Sequence, residues 1–310
     1  MNKIGVLFGR EDTFPYTLIE TINQRNVNGI TAEPVQVGGV MMAEPCGYRV
    51  IIDRISQDVP FYRAFLKNAI LTGTTVINNP FWWTADDKFF NYALASKLGI
   101  AIPKTVVLPH NQHPSDITSK SLRNLMYPLN WQEIFDYIGF PAFLKPYSGG
   151  GWKHVYKCHN IDEFFHHYNQ TGDLCMTLQT SVEFEDYYRC YVVGRKNVHI
   201  MQYDPRRPQA ERYVLDAPPI DPEMKARLEK DCLTICNALG YDMNTVEFAV
   251  QDGIPYAIDF LNPAPDADYH SVGADNFHWF INAIADLAIE TAQKQPEVAQ
   301  DYTWSAFLKG

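Results

Sequence analysis

The first part of the chain alternates short apolar runs with amphipathic stretches. KIGVLFG, which ends at Gly9, is typical of a β-strand, whereas the stretch from Phe14 to Gln24 has the apolar spacing of a helix. The runs ITAEPVQV, YRVIIDRI and TTVINNP continue the strands, and FYRAFLKNAIL has helical periodicity. Strands that alternate with helices predict a small parallel α/β lobe whose strand-end loops face a cleft.

The pattern changes near Trp83, where a second lobe is predicted to begin. TADDKFFNYALASKLG predicts a helix with Thr84 as its N-cap and Gly99 as its C-cap. A polar, loop-like segment runs from Pro109 to Asn130, and WQEIFDYIGFP then leads into further elements. These are predicted, in chain order, as strands AFLKPY and WKHVYKC, helix IDEFFHHYNQ, strands CMTLQTSV, RCYVVG and NVHIMQYD, helix DPEMKARLEKDCLTICNALG, a hairpin, and helix FHWFINAIADLAIETAQK.

The hairpin carries the first chemical signal. Two apolar runs, VEFAV and YAIDFL, flank the turn dipeptide Asp252-Gly253, so they are predicted to pair antiparallel. Pairing would bring together Glu247, Asp259 and Asn262. Mg²⁺ binds about six oxygen ligands and keeps several as water and phosphate, so two carboxylates and an amide suffice to hold it against a nucleotide. An ordinary hairpin with two solvated acids is the alternative interpretation.

A second signal is the single glycine cluster of the chain. Lys145 ends a predicted strand and is followed after two residues by Ser148-Gly149-Gly150-Gly151. A cation beside a flexible loop with bare backbone N–H groups suits phosphate oxygens. The sequence contains neither G-x-x-x-x-G-K-[ST] nor G-x-G-x-x-G, so a nucleotide site here is of another kind. The alternative is a glycine-rich hairpin tip beside a surface lysine.

Composition narrows the class of partner. The chain has 310 residues, enough for two or three lobes, and 46% of them are apolar. Its formal net charge of −10 argues against nucleic acid and anionic membrane as partners. With no signal-peptide pattern and no long apolar run, the expected location is the cytoplasm. The six cysteines are scattered and are expected to be reduced, mostly buried thiols.

Other reactive side chains lack a supporting pattern. The histidines are predicted to lie at the surface rather than to bind metal, because none has a third ligand at a suitable spacing; they are His110, His113, His166 and His167. Ser181 and the cysteines lack the surroundings of a nucleophile, so no covalent enzyme intermediate is expected.

The order of these segments, over nearly the whole chain, resembles the ATP-grasp superfamily, particularly its glutathione-synthetase-like and RimK-like carboxylate-amine ligases. The resemblance implies an ATP-grasp fold with an N-terminal parallel α/β domain at residues 1–82 and an ATP-grasp domain at 83–310. The latter would comprise a smaller ATP lobe, about 100–182, and a C-terminal lobe, about 183–310. The segment INNPFWWTADDKFF would end the first domain, and GIAIPKT would lead into the ATP lobe.

The resemblance also implies roles for individual residues. Lys88 and Lys145 would contact the ATP phosphates, and Arg189 would lie near the transferred phosphoryl group. The implied nucleotide contacts are Ser148, Gly149, Gly150 and Gly151 as a mobile loop, Gln179, Thr180, Ser181 and Val182 at adenine, and Asp186 at ribose. The family's Glu-x-Asn ending is replaced here by Asp259-Phe-Leu-Asn262, which makes Asp259 a less secure metal ligand than Glu247 or Asn262.

The implied activity is ATP-dependent amide formation from a carboxylate and an amine through an acyl phosphate, with ATP and one or two Mg²⁺ ions, Mn²⁺ being possible. Small-molecule or peptide substrates are expected, and a homo-oligomer is possible. Loop residues Arg10, Glu11, Asp12 and Arg54 are substrate candidates, and the possible anchors for a carboxylate are Arg10, Arg54, Arg206, Arg207 and Arg212. A small-molecule kinase and a non-catalytic nucleotide-binding protein are the alternatives.

Overall fold

The computed structural model describes residues 3–81, 87–149 and 151–294. The chain divides into two units. The first unit comprises Met1–Trp83, Tyr188–Glu247 and Phe260–Gly310, and the second comprises Thr84–Tyr187 and Phe248–Asp259. The domain boundaries expected from the sequence stay a prediction. No helix of the described residues is long and apolar enough to cross a membrane.

A parallel sheet forms part of the first unit. Its strands are β1 (Lys3–Leu7), β2 (Thr31–Pro34), β3 (Val50–Asp53) and β4 (Thr75–Ile77). Their order is β2-β1-β3-β4, and all three pairings are parallel, with Ile4 opposite both Ala32 and Val50. Every residue of β3 is buried, as expected for a sheet covered on both faces. The predicted parallel α/β lobe is confirmed.

Helices complete the first unit. They are α1 (Phe14–Arg25), α2 (Pro60–Leu71), α6 (Pro222–Leu239), α7 (Tyr269–Val272) and α8 (Ala274–Gln293), with a 3₁₀ turn at Gln209–Glu211. Helix α8 buries Phe277, Phe280, Ile281, Ile284 and Ala288, a spacing of three and four residues that forms one apolar face. It packs against α1, β1 and β3. The predicted terminal helix therefore supplies much of the core of this unit.

An antiparallel sheet with the order β5-β8-β6-β7 builds the second unit. Its strands are β5 (Thr105–Leu108), β6 (Ala142–Pro146), β7 (Tyr156–Cys158) and β8 (Met176–Thr180), and its helices are α3 (Lys88–Lys97), α4 (Trp131–Ile138) and α5 (Ile161–Tyr168), with a 3₁₀ turn at Ser119–Leu122. Aromatic rings from α4 and α5 pack on one another, with Phe135 and Phe164 5.2 Å apart between ring centroids. Leu144 and Leu178 lie in the same core.

Two sequence-based predictions in this unit need correction. Helix α3 begins at Lys88, with the Asp87 carboxylate as its N-cap accepting from the Phe90 N–H at 2.9 Å, and Leu98 rather than Gly99 is its C-cap. The predicted cap, Thr84, lies outside the described residues. The strand predicted from Trp152 begins only at Tyr156, because Trp152 has a φ of +60°, which is incompatible with an extended strand.

The third sheet has the order β10-β9-β11-β12. Its strands are β9 (Asp186–Val193), β10 (Asn197–Gln202), β11 (Met243–Gln251) and β12 (Ile254–Asp259). Asp252 and Gly253, between β11 and β12, have φ of +52° and +70°. Two positive φ angles are typical of the type I′ turn that joins antiparallel strands, so the predicted hairpin is confirmed.

The turn makes a prediction about stability. Gly253→Ala should lower the free energy of unfolding by roughly 1–2 kcal/mol, because an L side chain is strained in the left-handed region although the added Cβ meets nothing within 4 Å. Urea unfolding monitored by circular dichroism measures the change. Gly38→Ala is the matched control, since that glycine has equal space and no positive φ. Equal stability of the two variants would contradict the assigned strain.

Candidate active site

The ammonium group of Lys145 is held inside the second unit by two side chains. Lys145 Nζ donates to the Tyr92 hydroxyl and to Gln179 Oε1, both at 2.8 Å, and lies 5.1 Å from the centroid of the Tyr92 ring. Gln179 is buried, and its Nε2 donates to Thr105 Oγ1 at 2.7 Å, which fixes the amide with its oxygen toward the lysine. Strands β5, β6 and β8 thus position one cation.

Lys88, the first residue of α3, belongs to the same unit. Its Nζ contacts both oxygens of Asp259, at 3.2 and 3.3 Å. Tyr92, one helical turn further along α3, donates from its hydroxyl to the Ile258 carbonyl at 2.9 Å and accepts from Lys145. Lys88, Lys145 and Gln179, three residues implied by the family resemblance, are therefore joined through Tyr92 and the end of β12.

The Lys88–Asp259 pair was not foreseen from the sequence. The two residues are 171 positions apart, and no local pattern joins them. Tyr92 was likewise missed, because a tyrosine on a helix with apolar neighbours is typical of core packing. Asp259, expected to be a metal ligand, belongs to the second unit, whereas Glu247 and Asn262 belong to the first.

In the segment at the end of β8 that is expected to contact adenine, some backbone N–H groups are already hydrogen-bonded within the protein. The Thr180 amide donates to the Lys104 carbonyl at 2.9 Å, and the Ser181 amide donates to the Pro141 carbonyl at 3.0 Å. The Val182 amide has no hydrogen-bond partner among the described residues. Val182 is therefore the position of this segment whose N–H remains available to a base edge.

The loop expected to cover phosphate lies between β6 and β7. Gly149 and Gly151 have φ of +84° and +71°, so both use backbone conformations that favour glycine. Ser148 is half-buried, and Gly150 lies outside the described residues. Asp186, expected at ribose, is exposed at the first position of β9.

Arg189 is a buried cation of the first unit. Its Nη1 donates to the Tyr213 hydroxyl at 2.7 Å, and its guanidinium lies over the Tyr203 ring, 4.9 Å from the centroid. Nε is 3.1 Å from Glu247 Oε1, an ion pair without the direction of a hydrogen bond. Burial alone would lower the pKa of Arg189, but the Glu247 carboxylate and neighbouring acidic groups outweigh burial and raise it. The guanidinium is a permanent charge.

Glu247 and Asn262 offer oxygens of the kind that Mg²⁺ prefers. The Glu247 carboxylate is partly exposed and pairs with Arg189, and Asn262 Oδ1 accepts from the Ala264 N–H at 3.2 Å. The Asn262 amide donates to Asn244 Oδ1 at 2.9 Å, which anchors its backbone. No group of three or more His, Cys, Asp or Glu in the described ranges is arranged to hold a metal ion. A carboxylate and an amide fit a magnesium that takes its other ligands from phosphate and water.

A cavity of about 270 Å³ lies in the first unit beside the loop that follows β1. It is lined by Arg10, Glu11, Asp12, Thr13, Phe14, Asp266, Ala267 and Asp268. Arg10, Glu11 and Asp12, which were expected to lie in a loop facing a cleft, therefore line this cavity. Asp266 and Asp268 carried no signal of their own in the sequence.

The other expected carboxylate anchors have protein partners. The Arg54 side chain is buried, pairs with Glu11 and donates to the Pro265 carbonyl at 2.6 Å, and it is not among the residues that line the cavity. Arg206 donates to Asp204 at 2.8 Å, and this hydrogen bond lowers the pKa of Asp204. Arg212 donates to the Arg207 carbonyl at 3.2 Å.

No family model matches the sequence, and no curated protein matches it. The structure, however, resembles solved ATP-grasp proteins. A RimK domain ATP-grasp protein from Sphaerobacter thermophilus is 18% identical with a TM-score of 0.65, over 94% of this chain and 100% of that one. D-alanine–D-alanine ligase from Bacillus anthracis, solved with ATP, is 19% identical with a TM-score of 0.65, over 94% and 97% of the two chains.

A third neighbour is the ATP-grasp ligase PsnB, solved with a minimal precursor, Mg and ADP. It is 16% identical, with a TM-score of 0.62 over 94% of this chain and 97% of that chain. Likeness at this level of identity establishes the fold. The chain has the ATP-grasp fold, and the resemblance expected from the order of its segments is confirmed at that level.

The position of Lys145 makes a prediction about nucleotide binding. Lys145→Ala should weaken ATP binding at least tenfold, because a charge-assisted hydrogen bond contributes about 1.5–3 kcal/mol. Isothermal calorimetry with ATP measures the change. Lys97→Ala, which removes an exposed lysine from the end of α3, is the control for net charge. Unchanged ATP affinity in a folded Lys145→Ala protein would rule out Lys145 as a phosphate ligand.

Proposed function

We propose that the protein is an ATP-dependent ligase that joins a carboxylate to an amine. The carboxylate attacks the γ-phosphorus of ATP to give an acyl phosphate and ADP, and the amine then displaces phosphate to form an amide. The observation that carries the proposal is the pair of lysines, Lys88 and Lys145, ordered around Tyr92 in a chain with the ATP-grasp fold. Two of the fold neighbours are themselves named as ligases.

In this proposal the two lysines bind phosphate oxygens of ATP. Each is already held by a hydrogen-bond acceptor of the second unit, so little side-chain freedom is lost when phosphate arrives. Such pre-positioned cations stabilise the charge that spreads over the transferred phosphoryl group. The Val182 amide, in the segment Gln179–Val182, would contact adenine, and the Asp186 carboxylate would contact ribose.

Arg189 is proposed to stabilise the same developing charge. Its raised pKa keeps the guanidinium protonated throughout the reaction. Backbone amides of Ser148, Gly149 and Gly151 would bind phosphate and exclude water, which otherwise hydrolyses an acyl phosphate.

Glu247 and Asn262 are proposed to hold Mg²⁺, with Asp259 as the third candidate ligand. The ion would neutralise phosphate charge when bound. Since the Asp259 carboxylate also pairs with Lys88, its removal is expected to affect that lysine as well. The six cysteines form no disulfide, which supports a reducing compartment, the cytoplasm, as the proposed location.

The acyl-phosphate route makes an isotopic prediction. With an ¹⁸O-labelled carboxylate substrate, one label should appear in the released phosphate, because the carboxylate oxygen that attacks phosphorus stays with it. Hydroxylamine should intercept the intermediate as a hydroxamate. Mass spectrometry of the phosphate and a ferric hydroxamate assay measure the two products.

Three results would oppose the route. Formation of AMP would indicate adenylation at the α-phosphorus, and the ligase mechanism would be withdrawn as written. Unlabelled phosphate together with a phosphorylated alcohol would identify a kinase instead. ATP binding with no ADP formation across the full panel of carboxylates and amines would identify a non-catalytic nucleotide-binding protein.

The proposed metal ligands make a separate prediction. Glu247→Gln and Asn262→Ala should each raise the Mg²⁺ concentration for half-maximal ADP release at least tenfold. Glutamine keeps an oxygen beside Arg189 while removing the charge that magnesium needs. Glu290→Gln, at an exposed position of α8, is the control.

Asp259→Asn separates two roles of that carboxylate. If Asp259 is a metal ligand, the Mg²⁺ requirement rises. If Asp259 only orients Lys88, the KM for ATP changes and the Mg²⁺ requirement does not. An unchanged Mg²⁺ requirement in both Glu247→Gln and Asn262→Ala would refute the proposed metal site.

A further inference from the structure

One side of the Lys145 ammonium group is oriented by a tyrosine of α3. Lys145 Nζ donates to the Tyr92 hydroxyl at 2.8 Å, and that hydroxyl donates to the Ile258 carbonyl at 2.9 Å. A tyrosine hydroxyl has a single proton. Because this proton is directed at Ile258, the hydroxyl presents its lone pairs to Lys145 and can only accept from it.

The other side is oriented by a threonine of β5, through the Gln179 amide. An amide can turn either its oxygen or its NH₂ group toward a neighbour, and only the oxygen accepts from a lysine. Gln179 Nε2 donates to the Thr105 hydroxyl at 2.7 Å, and that hydroxyl donates to the Pro103 carbonyl at 2.9 Å. With its own proton directed at Pro103, the threonine oxygen accepts from Nε2. Gln179 Oε1 is thereby turned toward Lys145, at 2.8 Å.

Lys145 thus lies at the centre of a line of hydrogen bonds that ends at a backbone carbonyl on each side. Every member of the line belongs to the second unit. Tyr92 and Gln179 are only 4% and 2% exposed, so a water molecule cannot easily replace either acceptor. The two hydroxyls come from different elements, α3 and β5, and converge on one lysine of β6.

The second lysine of this unit is held in another way. Lys88 Nζ pairs directly with Asp259 Oδ1 at 3.2 Å, and this carboxylate is 48% exposed. Tyr92 donates to the carbonyl of the preceding residue, so it has two routes of action: directly on Lys145, or on Lys88 through the end of β12. The direct hydrogen bond to a charged group is the stronger coupling, because an ion pair this exposed is screened by water.

We propose that Tyr92 and Thr105 are positioning residues for nucleotide binding, and that both act through Lys145. Their hydroxyls would hold the ammonium group in place before ATP arrives, so that the lysine loses little conformational freedom on binding. This inference rests on the proposed function, because it takes Lys145 as a ligand of the ATP phosphates.

A competing effect has the opposite sign. An acceptor that orients the Lys145 ammonium group also competes with phosphate for its protons. If competition outweighed ordering, removal of either hydroxyl would tighten ATP binding. Tyr92→Phe separates the two effects, because phenylalanine keeps the ring, whose centroid lies 5.1 Å from Nζ, and removes only the oxygen.

The first test is calorimetric titration of the variants with ATP and with adenosine. Tyr92→Phe and Thr105→Val should each weaken ATP binding about fivefold, because the lysine is no longer oriented in advance. Adenosine has no phosphate, so its affinity should change by less than about twofold. Thr105→Ser keeps the hydroxyl and should restore the affinity for ATP. Tyr137→Phe, which removes an exposed tyrosine hydroxyl from α4, is the control.

A double-mutant cycle identifies the lysine through which the tyrosine acts. In a Lys145→Ala background, Tyr92→Phe should change ATP affinity by less than about twofold, since the group that it orients is gone. In a Lys88→Ala background, Tyr92→Phe should still weaken binding about fivefold. A tyrosine that only stabilised the unit would give the same loss in all backgrounds.

The contradicting results are specific. Unchanged or tighter ATP binding in both Tyr92→Phe and Thr105→Val would overturn the inference, and so would equal losses for ATP and adenosine. A Tyr92→Phe effect that persists in Lys145→Ala, or that disappears only in Lys88→Ala, would overturn the route through Lys145. Circular dichroism confirms the fold of each variant, and because the two hydroxyls lie on different elements, a folding defect in one variant leaves the other as the test.

The outcomes separate this inference from the proposed ligase. Calorimetry with ATP needs no second substrate, so the expected pattern of affinities would support the positioning roles even if no carboxylate-amine pair gave an amide, in which case the ligase proposal fails. Amide formation together with ATP affinities that neither variant alters would overturn the positioning roles and leave the ligase intact. Absence of ATP binding by the unmodified protein would overturn both.

Discussion

The buried guanidinium of Arg189 is the constraint on which the first unit depends. A charge removed from water is tolerated only when acceptors and opposite charges surround it. Here the surroundings come from separate parts of the chain: Glu247 on β11, the Tyr203 ring after β10, and the Tyr213 hydroxyl, which in turn donates to Asp266. Backbone hydrogen bonds, such as that from the Asp204 N–H to the Arg212 carbonyl at 2.8 Å, hold the segment after β10 in the position where Tyr203 and Tyr213 contact the arginine.

In the second unit, two lysines are held by neighbouring groups, Lys145 by Tyr92 and Gln179 and Lys88 by Asp259. Tyr92 accepts from Lys145 and donates to the carbonyl next to Asp259, which pairs with Lys88. Its position one turn after Lys88 on α3 means that the helix places both groups by its own geometry. The charged ends of the lysines are thus fixed by contacts whose partners are themselves hydrogen-bonded, which is how a site is kept ordered before a ligand arrives.

Much of this architecture follows from local sequence. The alternation of apolar runs predicts the parallel sheet, and Asp252-Gly253 predicts the hairpin, because each depends on residues close together in the chain. The contacts of the candidate site depend on distant residues. Nothing near Asp259 signals that it pairs with Lys88, and Asp266 and Asp268 gain meaning only when folding places them beside the loop that follows β1. The predicted start of β7 is wrong for a different reason. WKHVYKC has the composition of a strand, but Trp152 and His154 have positive φ angles, so the strand begins only at Tyr156.

The interleaving of the chain between the two units has a consequence for synthesis. The first unit is assembled from three separate segments, and α8, in the last of them, packs against α1, β1 and β3 from the first. Since α8 begins at Ala274, translation at ~5–20 residues per second delivers it on the order of 10–60 s after β1 has left the ribosome. Throughout that interval the apolar surface that α8 covers is open to water and to other nascent chains. The first unit therefore cannot complete its core until Ala274–Gln293 has been synthesised.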